Sequence, residues 1–203
     1  MPAHGRKMAA VRRLTSQNAL LLICDMQEKF RNAICCFPQI VQVAQRLLKG
    51  AMLLDVPVVA TEQYPKGLGL TVPELDIRKE KIPIFEKTCF SMLGSQSVDD
   101  YISKHFPNRK SVILCGIEAH VCIYQTVLDL LEKNFDVHLV VDGCSSRSQH
   151  DRLFAFRALE RFGAILTTNE CVLLGLLRGA SHPKFREVQQ LIKEVTPDSG
   201  LCH

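Results

Sequence analysis

The sequence predicts an α/β fold, with a doubly wound, Rossmann-like sheet of six parallel strands and helices on both faces. Short apolar runs alternate with longer amphipathic stretches from Ala19 onward, which is typical of βαβ units. Right-handed crossovers make the strand order 3-2-1-4-5-6 the simplest arrangement. Ligands bind such sheets beyond the carboxyl ends of the strands, where the order reverses between strands 1 and 4.

The first elements follow from apolar periodicity. Residues 19–24 predict strand 1, which ends just before Asp25. Apolar residues recur at three- and four-residue spacing over residues 39–54, which predicts a helix after Pro38. Residues 56–61 predict strand 2.

Prolines and glycines punctuate residues 62–81, so we expect no regular element there but an ordered loop near the site. Strand 3 is predicted over residues 82–85, and Pro83 favours a place at the sheet edge. The later elements are predicted in alternation: helices over residues 97–105, 119–133, 152–162, 169–177 and 183–194, and strands over residues 111–115, 137–141 and 164–168.

Length and composition set the class of protein. The 203 residues suit one domain over residues 17–203, preceded by a flexible basic arm over residues 1–16. No apolar run reaches the roughly 18 residues of a membrane span. The net charge of +4 is spread without a dense basic stripe, and the chain has no Trp for base stacking. We therefore expect neither a membrane nor nucleic acid as a partner.

The nine cysteines indicate a reducing compartment, because their number is odd and no secretory signal is present. This favours the cytoplasm. A mitochondrial location is the alternative, because the first 24 residues contain basic residues but no acid. Zinc-site spacings of Cys and His are absent, so we expect no metal and no cofactor.

Two residues stand at the expected ligand edge. Asp25 closes an apolar strand, where burial raises the pKa of an acid unless a cation is near, as in a general base. Cys122 ends the segment from Gly116 that joins a buried strand to a helix, and unpaired amides in a first helical turn favour a thiolate. A solvated carboxylate and a packing cysteine are the alternatives.

Lys87 follows strand 3, two strands and roughly 10 Å from strand 1. With a loop that leans inward, its side chain reaches the Asp25 carboxylate. On its own, a lysine at this position is more often a surface residue.

Three segments resemble, in order and spacing, the signature segments of the isochorismatase-like cysteine hydrolases. They are residues 22–27 (Leu-Ile-Cys-Asp-Met-Gln), 85–87 (Phe-Glu-Lys) and 116–122 (Gly-Ile-Glu-Ala-His-Val-Cys). The likeness extends over about residues 20–172 and is specific as a set. It implies a catalytic triad of Asp25, Lys87 and Cys122.

The resemblance also implies a cis peptide bond just before Glu118, which aims the amides of Glu118 and Cys122 at an oxyanion. The implied activity is metal-independent hydrolysis of a small amide-like or ester-like substrate through a covalent thiol intermediate, without a cofactor. Relatives often pair or form tetramers, which implies a homo-oligomer, and a protein partner is possible as well.

Differences from relatives narrow the substrate. Nicotinamidases of the family carry an Asp-x-His metal motif after strand 2, whereas this chain reads Thr-Glu-Gln-Tyr-Pro over residues 61–65. True isochorismatases commonly lack the nucleophilic cysteine, so isochorismate is not the implied substrate. The candidate walls of a substrate pocket are Phe30, Tyr64, Phe90 and His120, each of which also suits plain packing or an exposed position.

Two functions of other classes stay open. One is a binding or regulatory protein that keeps the fold and the triad without appreciable turnover. The other is a thiol redox protein in which Cys24 or Cys115 resolves an oxidised Cys122, although the sequence has no CxxC motif.

Overall fold

The computed structural model describes residues 13–201, which contain one six-stranded sheet. Its order is β3-β2-β1-β4-β5-β6, and every pairing is parallel. The predicted sheet and strand order are therefore confirmed. The strands are β1 (Ala19–Cys24), β2 (Val58–Gln63), β3 (Ile84–Lys87), β4 (Ser111–Ile117), β5 (Asp136–Ser145) and β6 (Ile165–Thr167).

Helices cover the sheet in two groups. The chain leaves β1 toward β2 on one side and leaves β4 toward β5 on the other, so right-handed crossovers place the helices on opposite faces. Accordingly, α1 packs with α6 and α7, whereas α4 packs with α5. The helices are α1 (Phe37–Leu53), α2 (Pro65–Leu68), α3 (Gln96–His105), α4 (Cys122–Glu132), α5 (Gln149–Phe162), α6 (Asn169–Leu177) and α7 (Phe185–Ile192).

None of the helices within residues 13–201 has both the length and the apolar character needed to cross a membrane. Of the predicted arm over residues 1–16, only residues 13–16 belong to the described part of the chain. Within them, Leu14 is buried against the core.

The expectation of no regular element over residues 62–81 is wrong. β2 continues to Gln63, the single-turn helix α2 follows, and Pro73–Leu75 forms a 3-10 turn. Pro65 is the first residue of α2, where a proline fits because its missing N–H has no partner to lose. The breakers therefore initiate turns in this segment.

Strand 3 was predicted two residues too early. Pro83 lies before β3, and its carbonyl accepts a hydrogen bond from the Ala60 amide at 2.9 Å. β3 is an edge strand, as predicted, and Lys87 is its last residue instead of following it.

Two further boundaries differ near the site. α4 begins at Cys122 instead of residue 119, because the segment before it forms a tight turn in which the Val121 amide donates to the Glu118 carbonyl. β5 runs to Ser145, four residues beyond the predicted end, with an irregular register opposite Leu114 to Gly116. The carboxyl end of β5 therefore extends further toward the site than predicted, and α4 begins at Cys122 itself.

The core centres on β1 and β4, where every residue is buried. Gly116 has φ +126°, and a Cβ there would lie 2.1 Å from the Cys24 carbonyl oxygen. Only glycine permits this approach of the two strands. The close contact brings the ends of β1 and β4 together where the strand order reverses.

Candidate active site

Asp25 follows β1 and is nearly buried, at 1% exposure. Its backbone is left-handed, with φ 52°, a conformation that aspartate tolerates better than most residues. The Thr61 hydroxyl donates to Oδ1 at 2.7 Å, and the Lys87 ammonium donates to Oδ2 at 2.7 Å. Both carboxylate oxygens thus have a partner from neighbouring strands.

The Lys87 side chain is fully buried and points inward from the sheet edge. Besides Asp25, its Nζ donates to Gln63 Oε1 at 2.6 Å, to the Phe90 carbonyl at 2.9 Å and to the Cys89 carbonyl at 3.2 Å. Burial alone lowers the pKa of a lysine, but the neighbouring Cys24, Asp25 and Cys122 side chains outweigh it and hold the pKa of Lys87 above its ordinary value. Lys87 is therefore a fixed cation.

Two glutamines hold the strand ends around this ion pair. Gln63 Nε2 donates to the Thr88 carbonyl at 2.9 Å, which leaves Oε1 to face Lys87. The fully buried Gln27 accepts from the Gln63 amide at 2.7 Å and donates to the Gly69 carbonyl at 2.6 Å. The network fixes both Lys87 and the turn that carries α2.

Cys122 is the first residue of α4 and is 7% exposed. The peptide bond between Ile117 and Glu118 is cis. Neither the Glu118 amide nor the Cys122 amide donates a hydrogen bond to another residue within 13–201. Two backbone donors therefore remain available at the turn that presents the thiol.

A cleft of about 640 Å³ opens over Asp25 and Cys122. Both residues are nearly buried, so they lie at its inner end. Its walls are mostly apolar, and they are formed by Phe30, Tyr64, Leu68, Phe90, Ile117 and Val121.

Three of the four predicted wall residues, Phe30, Tyr64 and Phe90, line this cleft. His120 is not among the residues that line this cleft, and its Nδ1 lies 3.0 Å from the Ser146 hydroxyl. His120, in the tight turn before α4, therefore contacts the segment that directly follows β5.

Sequence reasoning missed Thr61, Gln63 and Arg147. Thr61 and Gln63 lie at the carboxyl end of β2, next to β1, so the rule that ligands meet at strand ends applied to them as well. Arg147 follows β5 and lies at the cleft, where its Nη2 is 3.2 Å from Glu118 Oε1. No sequence signal singled it out, because it lies in an ordinary loop.

No group of three or more His, Cys, Asp or Glu side chains within residues 13–201 is arranged to hold a metal ion. The polar groups at the inner end of the cleft are instead the Asp25 carboxylate and the Cys122 thiol, and the carboxylate is paired with the buried Lys87 ammonium, which does not line the cleft. This combination supports proton transfer and nucleophilic attack.

The doubly wound fold and a cleft at the strand switch point define an α/β protein of the Rossmann-like, ligand-binding class. The comparisons make this specific, because the Isochorismatase domain family matches residues 19–171. The chain belongs to the isochorismatase domain family.

Curated and solved relatives agree with this assignment. The chain is 52% identical over 200 residues to isochorismatase domain-containing protein 2 of Xenopus laevis, covering 96% of this chain and 94% of that protein. It is 49% identical to the solved MAR1 ribonuclease of Caenorhabditis elegans, with a TM-score of 0.88, covering 95% of this chain and 98% of that chain. The YcaC gene product of Escherichia coli, an octameric hydrolase of unknown specificity, shares the fold at 21% identity, with a TM-score of 0.78, over 90% of this chain and 97% of that chain.

Proposed function

We propose that the protein is a metal-independent thiol hydrolase that cleaves a small amide-like or ester-like substrate with Asp25, Lys87 and Cys122. One observation carries the proposal: Cys122 lines the inner end of one cleft together with Asp25, whose carboxylate is paired at 2.7 Å with the buried Lys87 ammonium. A nucleophile, a base and a cation that keeps the base ionised are the groups that acyl transfer through sulfur requires.

The proposed steps conserve protons. The Cys122 proton passes to Asp25, and the thiolate attacks the carbonyl carbon, so that a C–S bond forms and the carbonyl oxygen becomes an oxyanion. The oxyanion collapses, the C–N or C–O bond breaks, and the leaving group takes the proton from Asp25. Water then attacks the acyl group and gives a proton to Asp25, the C–S bond breaks, and the proton returns to Cys122.

The amides of Glu118 and Cys122 support an oxyanion site, because neither donates to another described residue. A preorganised donor of this kind typically contributes about 3 kcal/mol to stabilisation of a transition state. Cys122 also lies at the first position of α4, where the helix dipole favours a negative sulfur. No step needs a metal or a redox cofactor.

The cleft supports a small-molecule substrate. Its volume of about 640 Å³ lies within the usual range for small-ligand sites, and most of its wall is apolar. We therefore expect a compact substrate with an apolar body whose amide or ester reaches the inner end. The fold shared with the octameric YcaC supports a homo-oligomer, and the free thiols among the described cysteines suit the reducing cytoplasm.

The MAR1 relative is named a ribonuclease, so short RNA belongs in any substrate panel. The lining of the cleft contributes only one exposed basic side chain, Arg147. Tracking a phosphate backbone usually takes several such groups in a row. A small neutral carbonyl compound therefore fits the cleft better than a nucleic acid.

The first test is the reactivity of each cysteine toward iodoacetamide at neutral pH, followed by mass spectrometry. We expect Cys122 to react at least about tenfold faster than the half-buried Cys35, Cys36 and Cys89, because only a thiolate reacts quickly. The variant Cys122→Ala should lose the fast phase, and Cys171→Ala, which removes an exposed thiol, should keep it.

Turnover of small amides, esters and short RNA by wild type and Cys122→Ala then separates the classes of function. Amide or ester hydrolysis that disappears in Cys122→Ala supports the proposal. A Cys122 that labels no faster than the other cysteines contradicts it. Fast labelling without any turnover favours the binding protein, and a loss of two hydrogens after mild peroxide treatment, absent in Cys122→Ala, favours the redox protein.

A further inference from the structure

Cys24 is a buried thiol that the proposed steps do not use. It is the last residue of β1 and is 0% exposed. Its Sγ donates to Asp25 Oδ2 at 3.4 Å, and the Cys122 side chain is close enough to raise the pKa of the Cys24 thiol. Cys122 itself makes no hydrogen bond to Asp25 among the described contacts. The Cys24 thiol is therefore a neighbour of both the nucleophile and the base.

The neighbouring buried thiol, Cys115 on β4, faces the opposite side of the sheet. The Cβ of Cys115 lies beside Gly143, which Val43 of α1 also approaches, and the titratable neighbours of its thiol are Cys144 and Asp142. Successive residues of a strand point to opposite faces, and Cys115 pairs with Ile23 while Cys24 pairs with Gly116. Only one of these two strand-end cysteines therefore contacts the site.

Cys24 keeps its proton more firmly than an ordinary cysteine. Burial raises the pKa of its thiol well above the usual value, and the neighbouring Cys122 and Asp25 raise it further. At neutral pH, Cys24 is thus an S–H donor.

We infer that Cys24 is a positioning residue whose S–H group holds the Cys122 thiolate in place and stabilises its charge. This rests on the proposed role of Cys122 as the nucleophile. In the resting site the Cys24 proton is directed at Asp25 Oδ2. Once the Cys122 proton has moved to Asp25, the same S–H turns to the Cys122 sulfur. No bond to carbon forms or breaks at Cys24, and its proton stays on it.

Other groups also influence the ionisation of Cys122, and they are held constant in the test. The titratable and charged groups that line the cleft or pair beside it are Asp25, Tyr64, Lys87, Glu118 and Arg147. A substitution at Cys24 leaves all of these side chains in place, and Cys24→Ser also keeps a donor for Asp25 Oδ2.

The test measures the rate of Cys122 alkylation by iodoacetamide between pH 5 and pH 10 and takes the midpoint of the rise. Cys24→Val fills nearly the same space without a donor and should raise the midpoint by about one pH unit, a rate about tenfold lower at neutral pH. Cys24→Ser keeps a donor and should stay close to wild type. Cys115→Val is the matched control, a buried strand thiol on the other face, and should leave the midpoint unchanged.

The outcomes separate this inference from the proposed function. A wild-type Cys122 without preferential labelling contradicts the nucleophile, and the inference about Cys24 with it. Preferential labelling together with equal midpoints for wild type and Cys24→Val overturns the role of Cys24 alone. If Cys24→Val does not fold, Cys24→Ala serves as the donor-free variant, and an Ala midpoint equal to that of Cys24→Ser overturns the inference too.

Discussion

Two regions of the molecule bury a carboxylate, a cation and thiols together, and only one of them is a candidate active site. The first contains Asp25 and Cys122, which line the cleft, and Lys87, which is paired with Asp25. The second contains Asp142, Arg152 and Cys144, where β5 packs against α5 and residue 199. None of the second group lines the cleft over Cys122. Residue types alone therefore do not distinguish the two regions.

Their electrostatics do distinguish them. Lys87 contacts a carboxylate at 2.7 Å, and its pKa is held above the ordinary value despite burial. The hydrogen bonds of Arg152 go to neutral acceptors, including the carbonyls of Val141 and Ser199, and burial lowers the pKa of its guanidinium. Burial also disfavours the charged form of Asp142 and so raises the pKa of its carboxyl group. In the first region the charges support one another at an opening, whereas in the second a cation ties chain segments together.

Arg152→Met should have the largest effect, and on stability alone. It leaves buried acceptors from β5, α5 and Ser199 without a charged donor, so the free energy of unfolding should fall by about 3–5 kcal/mol. Urea denaturation measures this, and Arg157→Met, which removes an exposed arginine stacked on Phe154, should change it by no more than about 0.5 kcal/mol. At urea concentrations below the unfolding transition of Arg152→Met, iodoacetamide should alkylate Cys122 of this variant at the wild-type rate. Slower alkylation of Cys122 in the folded variant would show that the two regions are functionally coupled and would contradict the distinction between them.

Lys87→Met should produce the next largest effect, and on reactivity. Without the ammonium, the negative charge of Asp25 opposes ionisation of Cys122, so alkylation at neutral pH should slow on the order of 100-fold. The rate is measured well below the unfolding temperature of the variant, so that any lost stability does not enter. Lys133→Met removes a surface lysine paired with Asp99 and is the control for charge. An unchanged rate in Lys87→Met would show that the cation does not act on the thiol.

The same two regions show which features of the fold and the site the sequence predicts and which it does not. The order of the strands and the meeting of Asp25 with Cys122 at the switch point followed from apolar periodicity and right-handed crossovers. Lys87 was identified only through its motif, because a lysine at that distance from β1 is, on its own, more often a surface residue. Gln63 escaped prediction although it lies at a strand end, because the rule that ligands meet at strand ends was applied only to the two strands at the switch point. Arg147 escaped prediction because a cation in a loop has no periodic pattern. The burial of Arg152 was not predicted either. An arginine on an amphipathic helix is normally expected to be exposed to solvent, and only tertiary packing buries this one.

Alkaline pH should give the smallest effect and separates the thiols of the two regions. Burial raises the pKa of Cys144 to about 12. A thiol whose pKa is higher folded than unfolded binds its proton more tightly in the folded state. Its contribution to stability is therefore complete below the unfolded pKa of about 8.5 and is lost as pH rises toward the folded pKa. Each such thiol lowers the free energy of unfolding by up to about 1.4 kcal/mol per pH unit in that window.

Urea denaturation at intervals from pH 7 to pH 10.5 measures this slope. Cys144→Ala should make the free energy of unfolding fall less steeply with pH, by the contribution of one thiol, while the alkylation rate of Cys122 stays unchanged. Cys24→Val should flatten the same slope, because burial raises the pKa of Cys24 as well, but should also shift the alkylation midpoint. Cys171→Ala, at an exposed position, controls for removal of a thiol. A Cys144→Ala slope equal to that of wild type would mean that the second region does not hold its thiol protonated. A buried thiol would then matter to this protein only where it faces the cleft.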